Sequence, residues 1–373
     1  MAERNLKQIN SVIFSRLEDR VINLNGFLNN FRKPRWIKST AECRDVMKNA
    51  HCEVFSVSRT FKIIKATHKE KVHYIVFSDF SDFDGVEIEG MDDIHLTSGY
   101  FCLAASESNI STMAKAFEIK DKIELFFRDE EVETNSYQGH ELEDIKTLFP
   151  NCKIFLLLND NILLENFNRA AGIINCKLLD NSPLHLESAT IKKLEKIFLQ
   201  GNEFIPYINI IHGMNSLSWE SFYLQLYRCI EQLYAQHRVD LLKTQLTILN
   251  QESIKDIATY LEKSLSWRPK EEESIQELFT KASSVHIKEL GFALGIIKYE
   301  NNEYTYNGSS EFDASKPVAR EAYQLRNNIV HFRPLNMSKK YDDQAWNILM
   351  RAMLGIIKDL YEDIGPRFFN TKN

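Results

Sequence analysis

The sequence contains no apolar run approaching the roughly 20 residues that a helix needs to cross a bilayer. Its opening stretch, MAERNLKQIN, lacks the apolar core of a secretory leader. A cytoplasmic protein with no membrane segment is expected. Cysteine is sparse: six residues, Cys43, Cys52, Cys102, Cys152, Cys176 and Cys229, lie scattered with no CxxC and no histidine at ligand spacing beside them. That pattern argues against structural zinc and against a disulfide framework, and favours buried free thiols. Glycine-rich phosphate loops, GxSxG and HExxH are all missing, which disfavours the enzyme classes built on them. Asp79, Asp82 and Asp84 in FSDFSDFDG suggest a cation loop, but the remaining ligands and the terminal glutamate of a calcium loop are absent. A polar hairpin turn is the better reading. No low-complexity tract interrupts the chain, so extensive disorder is not expected away from the ends.

What is present is 373 residues with 44% hydrophobic and 26% charged side chains, enough for two domains or three. Leu6, Ile9, Ile13, Leu17, Val21, Leu24 and Leu28 recur at helical spacing. From Glu53 the texture changes to VFSVSRTFKIIKA, KVHYIVFSDF, DIHLTSGYFCLAA and KIELFFRD, stretches rich in aromatic and β-branched residues that predict a mostly antiparallel sheet. KIFLLLND reads as a buried strand, ILLENFNRAAG as a helix and IINCKLLD as a second strand, a small βαβ unit. A helix over residues 186–199 and a turn at Gly201-Asn202 close this half. Ligands commonly bind at strand ends in such units, which singles out residues 159–161.

Beyond residue 203 the pattern is helical. SWESFYLQLYRCIEQLYAQHRVDLLK places Phe222, Leu226, Ile230 and Leu233 on one face, with Ser218 as cap. Helices are expected at 252–264, 271–282 and 285–296, then a polar hairpin in KYENNEYTYNGSSEFDAS. A last long helix, about 342–363, carries Trp346, Leu349, Met353, Ile356 and Leu360 on one face. The fold class is therefore α+β: a mixed N-terminal domain with a strand-rich sheet over 1–200, followed by an all-α bundle over 203–365.

Within the second half, LRNNIVHFRP ends a helix expected over 316–332, with Ser315 as cap, Pro317 in the first turn and Pro334 beyond the end. Asn327 and His331 stand one turn apart on one face, and Arg326 lies on its flank. Val318, Leu325, Ile329 and Phe332 are left to face the core. Arginine offers phosphate a planar, permanently charged fork. Histidine, titrating at about 6.5 unperturbed, suits proton transfer near neutral pH. Asn327 can orient either the phosphate or the imidazole. The bland alternative is a helix-terminal histidine near the last carbonyls and an ordinary surface arginine. The net charge of −6 argues against wholesale coating of nucleic acid, yet Lys316, Arg320, Arg326, Arg333, Lys339 and Lys340 face only Glu321 across that stretch. Arg333, Lys339 and Lys340 are candidates to hold flanking phosphates, or solvated surface charges. Arg228 and Glu231, one turn apart in LYRCIEQLY, are either an ordinary pair or support beside the cleft.

Arg326-Asn327-x-x-x-His331, before proline at a helix end in an all-helical setting, resembles the signature of the HEPN superfamily. Arg44 and His51 fit the looser spacing of that family, but they lie at the edge of the strand-rich half and are set aside. The resemblance implies an HEPN-like helical bundle and a metal-independent endoribonuclease without cofactor. It further implies two copies of the motif facing each other across a homodimer, with 2′-hydroxyl attack on RNA. Proteins of this kind that carry an additional domain often act in prokaryotic antiviral defence or as toxins. Residues 1–200 would then regulate or target the nuclease, with a phage-derived trigger or an antitoxin as partner. The alternative is a non-catalytic HEPN-like module that binds RNA or protein.

Overall fold

The computed structural model describes residues 4–21, 34–79, 83, 85–124, 137–158, 162–179, 183–245, 252–265, 270–300, 302–331 and 340–370. The fold is mixed α+β, and the chain divides into two compact units, residues 1–181 and 182–373.

In the first unit, α1 (Leu6–Val21) and α2 (Ala41–Asn49) precede β1 (His51–Ser56), β2 (Lys62–His68), β3 (Lys71–Ser78) and β4 (Met91–Ile94). Then come α3 (Ser98–Glu107), α4 (Ala116–Glu124), α5 (Leu142–Lys146), β5 (Asn151–Leu157), a short 3-10 helix (Ile162–Glu165) and α6 (Phe167–Lys177). The five strands form one antiparallel sheet in the order β1-β2-β3-β5-β4. Register explains why β2 and β3 read as apolar runs. Ile64 pairs with Ile75 and Ile75 with Ile154, so these three share a face and join the core formed with Ile13, Leu17, Phe101 and Leu103. The next register, Lys65, Tyr74 and Phe155, points the other way. There the Tyr74 hydroxyl donates to the Leu164 carbonyl and its ring stacks on Phe167 at 6.3 Å.

Three expectations fail in this unit. DIHLTSGYFCLAA supplies only the four-residue β4 before becoming α3, whose residues Ser98 to Ala105 are buried on every side. Such a helix shows no polar face, so its sequence mimics a strand. Lys122 to Glu124 of KIELFFRD end α4, and the remainder lies outside the described residues. Ile173 to Lys177 of IINCKLLD continue α6, begun by the Asn166 side chain accepting from the Asn168 and Arg169 amides. Among the described residues no βαβ unit forms, and β5 runs antiparallel to both its neighbours. Leu24, Leu28, Asp82, Asp84 and residues 159–161 lie outside the described residues. Asp79 accepts from the Thr60 hydroxyl at 2.8 Å. The six cysteines are free thiols, four buried and Cys52 and Cys152 half-buried.

The second unit holds α7 (Ser188–Gln200), α8 (Tyr207–Met214), α9 (Trp219–Glu231), α10 (Gln236–Gln245), α11 (Ile254–Leu265), α12 (Glu271–Phe279) and α13 (Ser284–Ala293). A hairpin of β6 (Lys298–Glu300) and β7 (Glu303–Thr305) follows, then α14 (Ser315–Val330) and α15 (Asp343–Phe369). Helix α7 belongs here rather than to the first half. Asn347 of α15 accepts from the Thr190 hydroxyl at 2.7 Å and from the Glu187 amide at 2.9 Å. The division therefore falls at 181/182, about twenty residues before the end read from the sequence. Helix α15 is the axis of the unit, with Trp346, Leu349, Met353, Ile356 and Leu360 all buried against its neighbours. Ser218 caps α9 by accepting the Ser221 amide, and Phe222, Leu226, Ile230 and Leu233 are fully buried. Among the described residues no helix is long and apolar enough to cross a membrane.

Candidate functional site

Helix α14 begins one residue from where a serine cap would place it. Ser315 is its first residue, and Asp313 is the acceptor, taking the Ser315 amide at 2.9 Å and its hydroxyl at 2.6 Å. Those two donors hold the Asp313 carboxyl below its ordinary range. Val318, Ala319 and Ala322 are buried against α9 and α12, and the Tyr223 hydroxyl of α9 donates to the Ala322 carbonyl at 2.7 Å. Leu325 and Ile329 are only half-buried and Val330 is 47% exposed. The last turns of α14 thus stand proud of the core that its first turns enter, whereas the sequence pattern assigned Leu325 and Ile329 to that core. Phe332 lies outside the described residues.

Arg326 leaves this last part of α14 at 19% side-chain exposure and is held on several sides. Its Nη1 donates to Asn327 Oδ1 at 2.9 Å and its Nη2 to Glu231 Oε1 of α9 at 3.1 Å. Glu271 Oε2, the first residue of α12, lies 3.6 Å from Nη1, and the Tyr227 ring sits 6.0 Å from the guanidinium carbon. Burial by itself lowers the arginine's pKa, but the two carboxylates, Glu231 foremost, outweigh it and push it up. Beneath the clamp, the Tyr227 and Tyr234 hydroxyls share a hydrogen bond of 2.5 Å, and burial raises both phenols far above their ordinary value. Beside it a cavity of about 520 Å³ is lined by Glu231, Glu262 and Glu271, with Lys255 its one cation among the described residues.

His331 is the residue at which α14 ends. Its backbone turns extended, its amide donates to the Asn327 carbonyl at 2.8 Å, and its side chain is exposed. The structure therefore brings Arg326 and Asn327 into direct contact and fixes His331 to the same helix end. No hydrogen bond or ion pair joins the imidazole to the guanidinium among the described residues. Lys340 is exposed, and Arg333 and Lys339 lie outside the described residues. Arg228 is exposed, and Glu231 pairs with Arg326 in its place.

The positive stretch read from the sequence is not a positive surface along α14. Lys316 faces Glu277 at 3.6 Å, Arg320 faces Glu272 at 3.3 Å, and Arg326 has Glu231 and Glu271. Counting acids only within the stretch missed the glutamates that α12 lays alongside it. Glu271 and Tyr227 are the neighbours of Arg326 that sequence reasoning overlooked. The one signal for Glu271 was the EEE run opening α12. Arg44 donates to the Ser39 carbonyl from α2, and His51 is exposed on β1. Comparison with protein-family models, with curated proteins and with solved structures finds no match to this chain.

Proposed function

We propose that this chain is an HEPN-type, metal-independent endoribonuclease whose composite site forms from two copies of the Arg326-Asn327-x-x-x-His331 helix end. The observation that carries this reading is the motif's setting: a rigidly held guanidinium and an exposed imidazole share the projecting end of one helix in a helical unit. In the reaction, the His331 imidazole accepts the proton of a 2′-hydroxyl while that oxygen bonds to the adjacent phosphorus. The bond from phosphorus to the 5′ oxygen breaks, and the leaving oxygen takes up a proton from the partner copy's imidazole or from water. Arg326 stabilises the charge on the non-bridging oxygens. The products carry a 2′,3′-cyclic phosphate and a 5′-hydroxyl, and DNA, lacking the nucleophile, is spared. An internal nucleophile needs no metal-activated water. A role in antiphage defence by growth arrest, with residues 1–200 restraining the nuclease, accords with the danger of a free ribonuclease to its host.

The test is incubation of the purified protein with total RNA in EDTA. Cleavage that is lost in Arg326→Ala and in His331→Ala supports the reading. Intact RNA with wild-type protein that forms the motif-to-motif dimer sinks it. The clamp of Glu231 and Glu271 favours a second reading, a non-catalytic module in which Arg326 cross-links α14 to α9 and α12. That reading predicts loss of stability, but no change in RNA integrity, in Arg326→Ala.

A further inference from the structure

A cavity of about 820 Å³ lies within the first unit, between α1, the segment 34–39 and α2. Its size falls in the range of small-molecule sites, roughly 300–1,000 Å³. Among the described residues three cations line it, Lys7, Arg35 and Arg44, against the single carboxylate of Glu18. That balance is the reverse of the whole chain, which carries a net −6. Arg35 is 5% exposed, so its charge sits away from bulk water, where an anion is worth far more than at the surface. Burial raises the Glu18 carboxyl, and the positive charge of Arg35 opposes the rise. Arg44 is steadied at the rim by donating to the Ser39 carbonyl at 2.7 Å.

Trp36 supplies the other half of the recognition. It is 38% exposed, yet its ring is fixed: Tyr137 meets it edge-on at 4.4 Å, and Gly139 lies so close that a Cβ there would approach Nε1 to 2.5 Å. Gly139 also adopts φ +93, which other residues rarely do. The backbone thus accepts strain-prone geometry to brace an indole at a cavity wall. Phe14 and Met47 add apolar surface to the lining, on the same helices that carry Lys7 and Arg44.

We infer that this cavity binds a small organic anion bearing a flat ring, with the negative group at Lys7, Arg35 and Arg44 and the ring against Trp36. A nucleoside monophosphate is the simplest molecule that supplies both parts. The site is independent of the Arg326 motif and of any ribonuclease activity.

The test uses the full chain and calorimetric titration at physiological salt with AMP, adenosine and inorganic phosphate as separate probes. AMP is expected to bind saturably at one per chain, and adenosine and phosphate each at least about tenfold more weakly. Lys7→Gln with Arg44→Gln, both exposed positions whose fold is checked by circular dichroism, weakens AMP by about tenfold or more. Arg326→Ala leaves AMP binding unchanged, which separates this site from an RNA-binding one. Absence of saturable AMP binding into the millimolar range, equal binding by the double variant, or phosphate binding as tightly as AMP would each overturn the inference.

Discussion

A guanidinium that is to grip a phosphodiester must have donors to spare and a field that welcomes an anion. Arg326 spends Nη1 on Asn327 and Nη2 on Glu231, and with Glu271 nearby the trio carries a net negative charge. A phosphate approaching it meets repulsion of the order of a few kcal/mol at an effective dielectric of about 20. Removing one carboxylate charge should therefore improve RNA binding. Glu271→Gln and Glu231→Gln are each expected to raise affinity for single-stranded poly(U) by about three- to tenfold at low salt. The gain should vanish when Arg326→Ala is added. Filter binding reads this directly, and weaker binding by both glutamine variants would show that the carboxylates aim the arginine rather than mask it. Arg326 and His331 were legible because their spacing is local to one helix. Glu231 was noted only as possible support beside the cleft and Glu271 not at all, since 95 and 55 residues of chain separate them from Arg326.

Between helices, the joint of α7, α13 and α15 shows how polar groups fix an interface. His286 Nδ1 donates to Asp359 Oδ2 at 2.8 Å, the Ser283 amide donates to the same oxygen at 2.9 Å, and Lys193 Nζ lies 3.2 Å from His286 Nε2. Burial alone would raise the Asp359 carboxyl, but the His286 and Ser283 donors prevail and lower it. Because its folded pKa lies below the unfolded one, Asp359 adds stability that is fully present above about pH 4 and is lost as pH falls through the folded value. Urea melts of wild type and Asp359→Asn should accordingly differ most near neutrality and converge in acid. A pH-independent gap would refute the assignment. The same clamp holds the His286 ring over Gly355, where a Cβ would come within 2.4 to 2.6 Å of ring atoms. Gly355→Ala should cost roughly 1–3 kcal/mol in the same assay, because the tethered ring cannot swing aside cheaply.

At the scale of the molecule, the projecting end of α14 bears on assembly. Val330 is 47% exposed beside half-buried Ile329, next to His331. If two motifs meet across a two-fold axis, this apolar edge lies at the join. Val330→Asp should then turn a dimer into a monomer by light scattering and abolish RNA cleavage together. Retention of a dimer by the variant, with activity intact, would place the join elsewhere. The long sheet strands were readable as short apolar, β-branched and aromatic runs, and the principal helices of the second unit because their 3.6-residue periodicity reports one buried face. Helix α3 and the second half of α6 were misread as strands where burial on all sides erased that periodicity.

The sequence alone determined the division into a strand-rich first part and a helical second part, the cap of α9, the apolar faces of α9 and α15, and the motif at the end of α14. All of these depend on neighbours within one or two turns of chain. The tertiary structure decided the rest: that β5 joins its sheet antiparallel, that α7 sides with the second unit, that α12 neutralises the charges of α14, and that a cationic cavity opens beside Trp36. Those outcomes depend on which distant surfaces meet, and the energy of a contact between separated segments leaves no periodic mark on either one.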